Sequence, residues 1–472
     1  MHTFFRENKG RIAAVSGLLT VILCACKSSL PLATIPEGGY FAYRVAPQAQ
    51  AQGDPDRGFE YLIYGDYVGN GIPYEVYQKL VGGQPDSVLM REGVNARVSY
   101  GNTVFENAAG MQVISGNCFT CHASRLNGEV VLGLGNSFSD YTRSSKRKIG
   151  VLNWMVRKKY GKDSPEWASY EEQARWFASV GAAVKMDNPG INPAFRVEEG
   201  AIRYRNPADL RFQPDPNFDL SKASIGTDVP PLWHVAKKEA LYYNGMGRGD
   251  FTKLLMQACL LGIHDSSSAR GVQQSFSDVV AWLRALQPPS YPGALNAQLV
   301  REGQTVFETH CKKCHGSYGE QATYPNKLVP LDEIGTDPAY ALYAMASPVN
   351  EWYNNSWFAK STPYAESRPS PAYMAPPLDG IWATAPFLHN GSVPTLEALL
   401  DSRLRPTYWE RNFEDDSYDL ARIGWPYVEK NNGRGRYTYD TTLPGYGNGG
   451  HTFGDSLSGR ERLALIEYLK AL

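Results

Sequence analysis

Two pentapeptides constrain this chain of 472 residues more than any other feature. Cys118-Phe119-Thr120-Cys121-His122 and Cys311-Lys312-Lys313-Cys314-His315 both spell C-x-x-C-H. With seven cysteines and eight histidines available, chance supplies one such match only about 0.002 times per chain. The spacing carries the chemistry. Two thiols about one helical turn apart reach the two vinyl groups of one porphyrin, and the next residue sets an imidazole under the iron as proximal ligand. A zinc knuckle or a thioredoxin-like pair explains paired cysteines but not the histidine after each pair. Two covalently attached haem c groups are therefore expected, one on Cys118, Cys121 and His122, the other on Cys311, Cys314 and His315.

Other landmarks repeat around the two motifs. Gly101-Asn102-Thr103-Val104-Phe105-Glu106 precedes the first and Gly303-Gln304-Thr305-Val306-Phe307-Glu308 the second, each read as the end of a helix leading into the motif. Pro230-Pro231-Leu232 with Asn244-Gly245 follows the first, and Pro376-Pro377-Leu378 with Asn390-Gly391 follows the second at the same separation. Each half closes on an apolar helical stretch ending at Leu286 or Leu472. The expected fold is mainly α, a tandem of two cytochrome-c-like domains with long irregular loops. Residues 1–26 read as a lipoprotein-type signal peptide, 27–85 as a tether and packed lead-in, 86–287 as the first domain and 288–472 as the second. The break falls at Pro288-Pro289, which no helix continues through.

The start of the chain points outward from the cytoplasm. Arg6, Lys9 and Arg11 precede an apolar run from Ile12 to Ala25, short for a membrane span and suited to a signal peptide. Leu23-Cys24-Ala25-Cys26 resembles the bacterial lipoprotein cleavage box, with Cys26 as the lipidated residue. The expectation is an exported protein, periplasmic or at the outer membrane, held to the membrane only through a lipid anchor. A net charge of −1 provides no overall basic field for nucleic acid. Cys259, in an apolar run, reads as a buried small hydrophobe.

The segment from Ala375 to Ser392, with its core Thr384-Ala385-Pro386-Phe387-Leu388-His389-Asn390-Gly391-Ser392, resembles the signature of the bacterial di-haem cytochrome c peroxidase superfamily. The tail with Gly449-Gly450-His451 is most similar to its di-haem rubber oxygenase-like branch. That resemblance implies a reactive haem in the first half and an electron-relaying haem in the second. It implies His389 at a haem edge and His451 as the sixth ligand of the second iron, with Met374 as the alternative. It also implies a Ca²⁺ ion held by the carbonyls of Thr384 and Pro386. Departures matter as much. No second histidine follows the first motif to block its iron, since 133–138 read Gly-Leu-Gly-Asn-Ser-Phe. The peroxidases' distal acid is missing from the best local match, Leu254-Leu255-Met256-Gln257.

The remaining histidines sort by context: His2 in the signal peptide, His310 exposed, His264 at a helix end, and His234 a weak candidate near the first haem. Trp233, Tyr242 and Tyr243, the last two standing where the second copy has Leu388 and His389, are the candidate catalytic side chains. The basic run Arg143–Lys162 suits an acidic redox partner protein. These readings converge on an enzyme, an atypical peroxidase or oxygenase-like oxidoreductase. It would activate H2O2 or O2 at the first haem with electrons from the second. The competing reading is a di-haem electron-transfer cytochrome with both irons saturated. A structural or sensing role ranks last.

Overall fold

The computed structural model describes residues 44–472; the stretch read as a signal peptide, with Cys26, lies outside them. The architecture corrects the mainly α expectation. The protein is 39% helix and 13% strand, a mixed α/β molecule with several small sheets. The helices that organise it are α1 (Pro55–Tyr64), α2 (Lys146–Tyr160), α3 (Pro165–Ala183), α4 (Ala194–Ile202), α5 (Ser266–Ala285), α6 (Ala297–His310) and α7 (Gly459–Lys470). Among the described residues no helix is long and apolar enough to cross a membrane.

One hexapeptide shows where the helical reading failed. In the second half Gly303–Glu308 lies within α6, as expected. In the first half Asn102–Glu106 is a strand paired with Gln112–Gly116, Thr103 opposite Ser115 and Phe105 opposite Val113. The residues C-terminal to the hexapeptide decide between the two. After Glu106, Asn107 turns the chain: its Oδ1 accepts the backbone N–H of Ala109 and Met111, and Gly110 takes φ +73°. β-branched residues flank the turn, Thr103 and Val104 on one arm and Val113 and Ile114 on the other, and they favour a pleated ribbon over a helix. After Glu308 only Thr309 and His310 precede Cys311, so the helix runs straight into the motif.

The true counterpart of α6 is α1, inside the stretch read as lead-in. α1 crosses α5 as α6 crosses α7, and each pair meets at a glycine. A Cβ on Gly58 would overlap the Asp278 carbonyl, and one on Gly303 would overlap the Ala464 carbonyl. Four residues on, Leu62 and Phe307 are both buried to 1% exposure. Asp54 caps α1, Asn296 caps α6, and Ser458 with Glu461 forms a capping box on α7.

The two apolar cores interlock across the Pro288-Pro289 break. The core around the first motif takes in Tyr340, Tyr343, Trp352 and Phe358 from between the second motif and its proline signature. The core around the second motif takes in Leu126, Leu134 and Trp233 from the first half. Strand Gly247–Gly249 pairs with Ala365–Ser367 across the halves. Arg411 strengthens the seam. Its buried guanidinium lies 4.6–4.7 Å from the ring centres of Phe138, Phe413 and Trp425 and donates to Ser137 Oγ at 3.1 Å. Each aromatic side chain buried this way contributes on the order of 2 kcal/mol.

Candidate functional site

Both pentapeptides fold into a single turn that aligns three functional side chains. His122 N–H donates to Cys118 O at 2.9 Å and His315 N–H to Cys311 O at 3.0 Å, so each histidine sits one turn beyond its first cysteine. The first turn is capped by Asn117, whose side chain accepts the Phe119 N–H at 2.9 Å. Phe119 is fully buried beneath it, edge-on to Phe59 and Trp282. Tyr67 Oη accepts the Cys118 N–H at 3.1 Å and reaches its Sγ at 3.7 Å. None of the four motif cysteines, nor the buried Cys259, is in a disulfide.

The proline signatures orient the imidazoles. His315 Nδ1 lies 2.8 Å from the Pro376 carbonyl, which fixes the proton on Nδ1 and turns Nε2 into the cavity. Pro230 holds the same place against His122 and raises that imidazole's pKa against its burial, although the contact falls short of full hydrogen-bond geometry. Burial still brings His122 down to about 4, and His315 is lowered for the same reason. Both rings are therefore neutral and free to act as metal ligands. The two signatures are also equivalent in backbone: Tyr242 and Leu388 take φ of +68° and +67°, and Gly245 and Gly391 follow at +62° and +64°.

Beyond that, the sites diverge. His451 faces His315 with ring centres 6.2 Å apart. An iron held between two imidazoles needs about 2 Å for each metal–nitrogen bond, plus the distance from each nitrogen to its ring centre, and this gap provides it. His451 owes its place to a glycine-rich loop pinned on three sides. Gly445 and Gly447 N–H donate to Asp337 Oδ2. Asn390 Nδ2 donates to the Gly445 and Gly447 carbonyls. Arg405 donates to the carbonyls of Asn448, Gly450 and His451. Gly450, at φ +70°, lies so close to Gly335 and Thr336 that no side chain fits. Burial lowers the His451 pKa to about 3. The cavity between the two histidines has a volume of about 420 Å³ and is mostly apolar. Two thiols at its edge, a proton-directed imidazole below and a neutral imidazole above fit a covalent haem. Met374 also lines this cavity.

Other expected residues gather at the same cavity. His389 stacks on Tyr373 at 4.1 Å, with Tyr243 and Tyr340 farther out, and its Nε2 has no partner. His234, expected near the first haem, lines the second cavity instead, its Nε2 3.0 Å from the Asp379 carbonyl. Trp233 Nε1 donates to the same carbonyl at 2.8 Å, so this indole is a strut between halves. Tyr243 lies against Asp228, a carboxyl that burial pushes far above its usual range. Thr384 Oγ1 is spent on the Ile381 carbonyl at 3.1 Å. Among the described residues no group of three or more His, Cys, Asp or Glu side chains is placed to hold a metal ion.

The first half has its own polar group, which the sequence did not reveal. Glu198 and Glu199 stand side by side on α4. Glu199 is locked by Arg196, by Tyr343 Oη at 2.9 Å and by Ser347 Oγ at 2.8 Å. Glu198 lies deep in the molecule yet keeps some open surface, and its partner Tyr242 lines the cavity described above. Tyr242 Oη donates to its Oε1 at 2.8 Å, and Gln257 Nε2 donates to that hydroxyl at 3.4 Å. Burial pushes the Glu198 carboxyl up to about 7, the Tyr242 hydrogen bond opposes the rise and the Glu199 charge adds to it. Gln257, from the Leu254–Gln257 stretch, thus reaches this acid of another helix through Tyr242. A paired Glu-Glu inside the apolar stretch Ala194–Ile202 was the signal available.

Each half thus carries a C-x-x-C-H turn with its histidine set against a proline segment. Residues 372–410, the segment holding the second proline signature, match the RoxA-like, cytochrome c-like family. That match supports haem c binding and a general oxidoreductase relationship to the di-haem rubber oxygenase-like group, over a small part of the chain. Among curated proteins, the uncharacterized protein y4iJ of Sinorhizobium fredii is 35% identical over 40% of this chain and 41% of its own length. The uncharacterized protein y4iM of the same organism is 27% identical over 42% of this chain and 49% of its own length. The chain thus spans less than half the length of these relatives.

Proposed function

We propose that this protein is an exported di-haem c-type oxidoreductase that activates H2O2 or O2 in the first half, with electrons relayed through the second. The observation that carries this reading is the inequality of the two sites. His315 is faced by a second imidazole, whereas the polar group of the first half is an acid, Glu198, backed by Tyr242 and Gln257. A haem on Cys118–His122 would supply iron able to take an oxygen ligand; the chain's own residues do the rest. Glu198 keeps its carboxyl half-protonated near pH 7, the condition under which one group both gives and takes a proton efficiently. Tyr242 orients the carboxyl through Oε1, and the surrounding apolar core excludes bulk water. On the second half, Asn390, Asp337 and Arg405 hold His451 in place and close that centre to outside ligands. The basic helix α2 offers Lys146, Arg147, Lys148 and Lys158 at the surface for an acidic redox partner.

The test is H2O2 consumption by the haem-loaded protein with a reduced one-electron donor. Glu198→Gln should lower the rate by about 100-fold or more, the usual contribution of a positioned acid, with haem content unchanged. A protein that neither consumes peroxide nor reacts with O2 when reduced is an electron carrier, and the proposal fails.

A further inference from the structure

The second cavity contains a charge that nothing in the protein balances. Lys238 belongs to the first half's proline segment, yet its side chain lines the cavity of the second motif together with His234 and His315. Its neighbours are satisfied elsewhere. Lys237 Nζ pairs with Asp379 at 2.7 Å and lies over the Tyr318 ring, and Glu239 N–H donates to Asn326. Lys238 has no such partner: among the described residues no carboxylate lies within ion-pair distance, and only burial acts on its ammonium, pulling it down to about 8. A deep, unpaired cation is costly unless an anion joins it. Two acids line this cavity, and neither pairs with Lys238: Asp228 is turned to Tyr243 and to the Arg411 side, and Glu333 pairs with Lys327 at 3.3 Å. Lys238 also keeps open surface toward the cavity while lying deep in the fold, so an incoming anion meets it directly.

Resting on the haem reading of the second motif, we propose that Lys238 is the counter-cation of a haem propionate at that centre. Cys311, Cys314 and His315 fix the porphyrin, and its carboxylates are the anions of the right chemistry to enter an otherwise apolar cavity. The first half thereby contributes the charge that sets the potential of the second centre. A fixed positive charge near the iron favours the reduced state, so its loss lowers the midpoint potential.

The experiment uses full-length, haem-loaded protein and its K238M and K238R variants, with haem counted per chain and each centre titrated by spectroelectrochemistry. The expected result is two haems per chain in all three, a lower midpoint for the low-spin haem in K238M, and a value near the parent's in K238R. Unchanged midpoints in K238M at full haem content overturn the proposal. Absence of a haem on Cys311 and Cys314 in the parent protein overturns the haem reading instead. Should K238M not accumulate, resonance Raman of K238R decides: a shifted propionate bending band from one haem supports the pairing, and an unchanged band overturns it.

Discussion

Glu198→Gln reports on the acid of the first half through stability as well as through rate. The Glu198 carboxyl is raised from 4.5 to about 7 by burial. The native state therefore holds a proton that the unfolded chain has already released between those two values. Stability contributed at this residue is unimpaired below pH 4.5, declines as pH rises, and is fully lost above pH 7. A shift of that size corresponds to roughly 3 kcal/mol, at about 1.4 kcal/mol per pH unit. Gln has nearly the same shape and no charge to desolvate. Relative to the parent, E198Q should gain about 3 kcal/mol of stability between pH 4.5 and pH 8. Any fixed cost of replacing the acid is the same at every pH and cancels. Urea unfolding of the haem-loaded parent and variant at half-unit pH steps measures this directly. Parallel stability curves would show that Glu198 is not a high-pKa acid in the folded protein and would remove the proton source from the proposed chemistry.

Other perturbations act on the same contacts. Tyr242→Phe removes the hydroxyl that holds the Glu198 pKa down, so the alkaline limb of the peroxide pH–rate profile should move above pH 7; an unmoved limb would disconnect the pair. Gly450→Ala forces a Cβ into the Gly335–Thr336 backbone at φ +70°, with a strain of at least about 1–2 kcal/mol, and should convert the low-spin second haem toward high spin as His451 is displaced. Arg411→Met strips a cation from three rings and should cost about 2 kcal/mol or more in unfolding experiments while leaving both haems attached.

The parts of this molecule legible in its sequence were those set by short-range covalent chemistry. C-x-x-C-H dictates a turn whatever surrounds it, and the equal spacing of the two proline segments survives as matching positive φ at Tyr242 and Leu388. The hexapeptide repeat misled because local identity does not decide between helix and hairpin; Asn107 and Gly110 do, and they lie outside the repeat. The helix that replaces it, α1, shares with α6 only a glycine at a crossing and a large apolar residue one turn on. Glu198 and Lys238 were hidden for a different reason. Each is one of two adjacent like residues, and only tertiary packing determines which member forms an ion pair. The small sheets arise largely from contacts between distant segments, such as Gly247–Gly249 with Ala365–Ser367, and no local pattern announces them.

The central proposal is that the two centres differ in access: one capped by His451, the other, on Cys118–His122, open to an outside ligand. Titrating the reduced, haem-loaded protein with CO tests it most directly. The account predicts one CO bound per two haems, with a low-spin spectrum persisting for the second centre. Binding of no CO, or of two per chain, would contradict it.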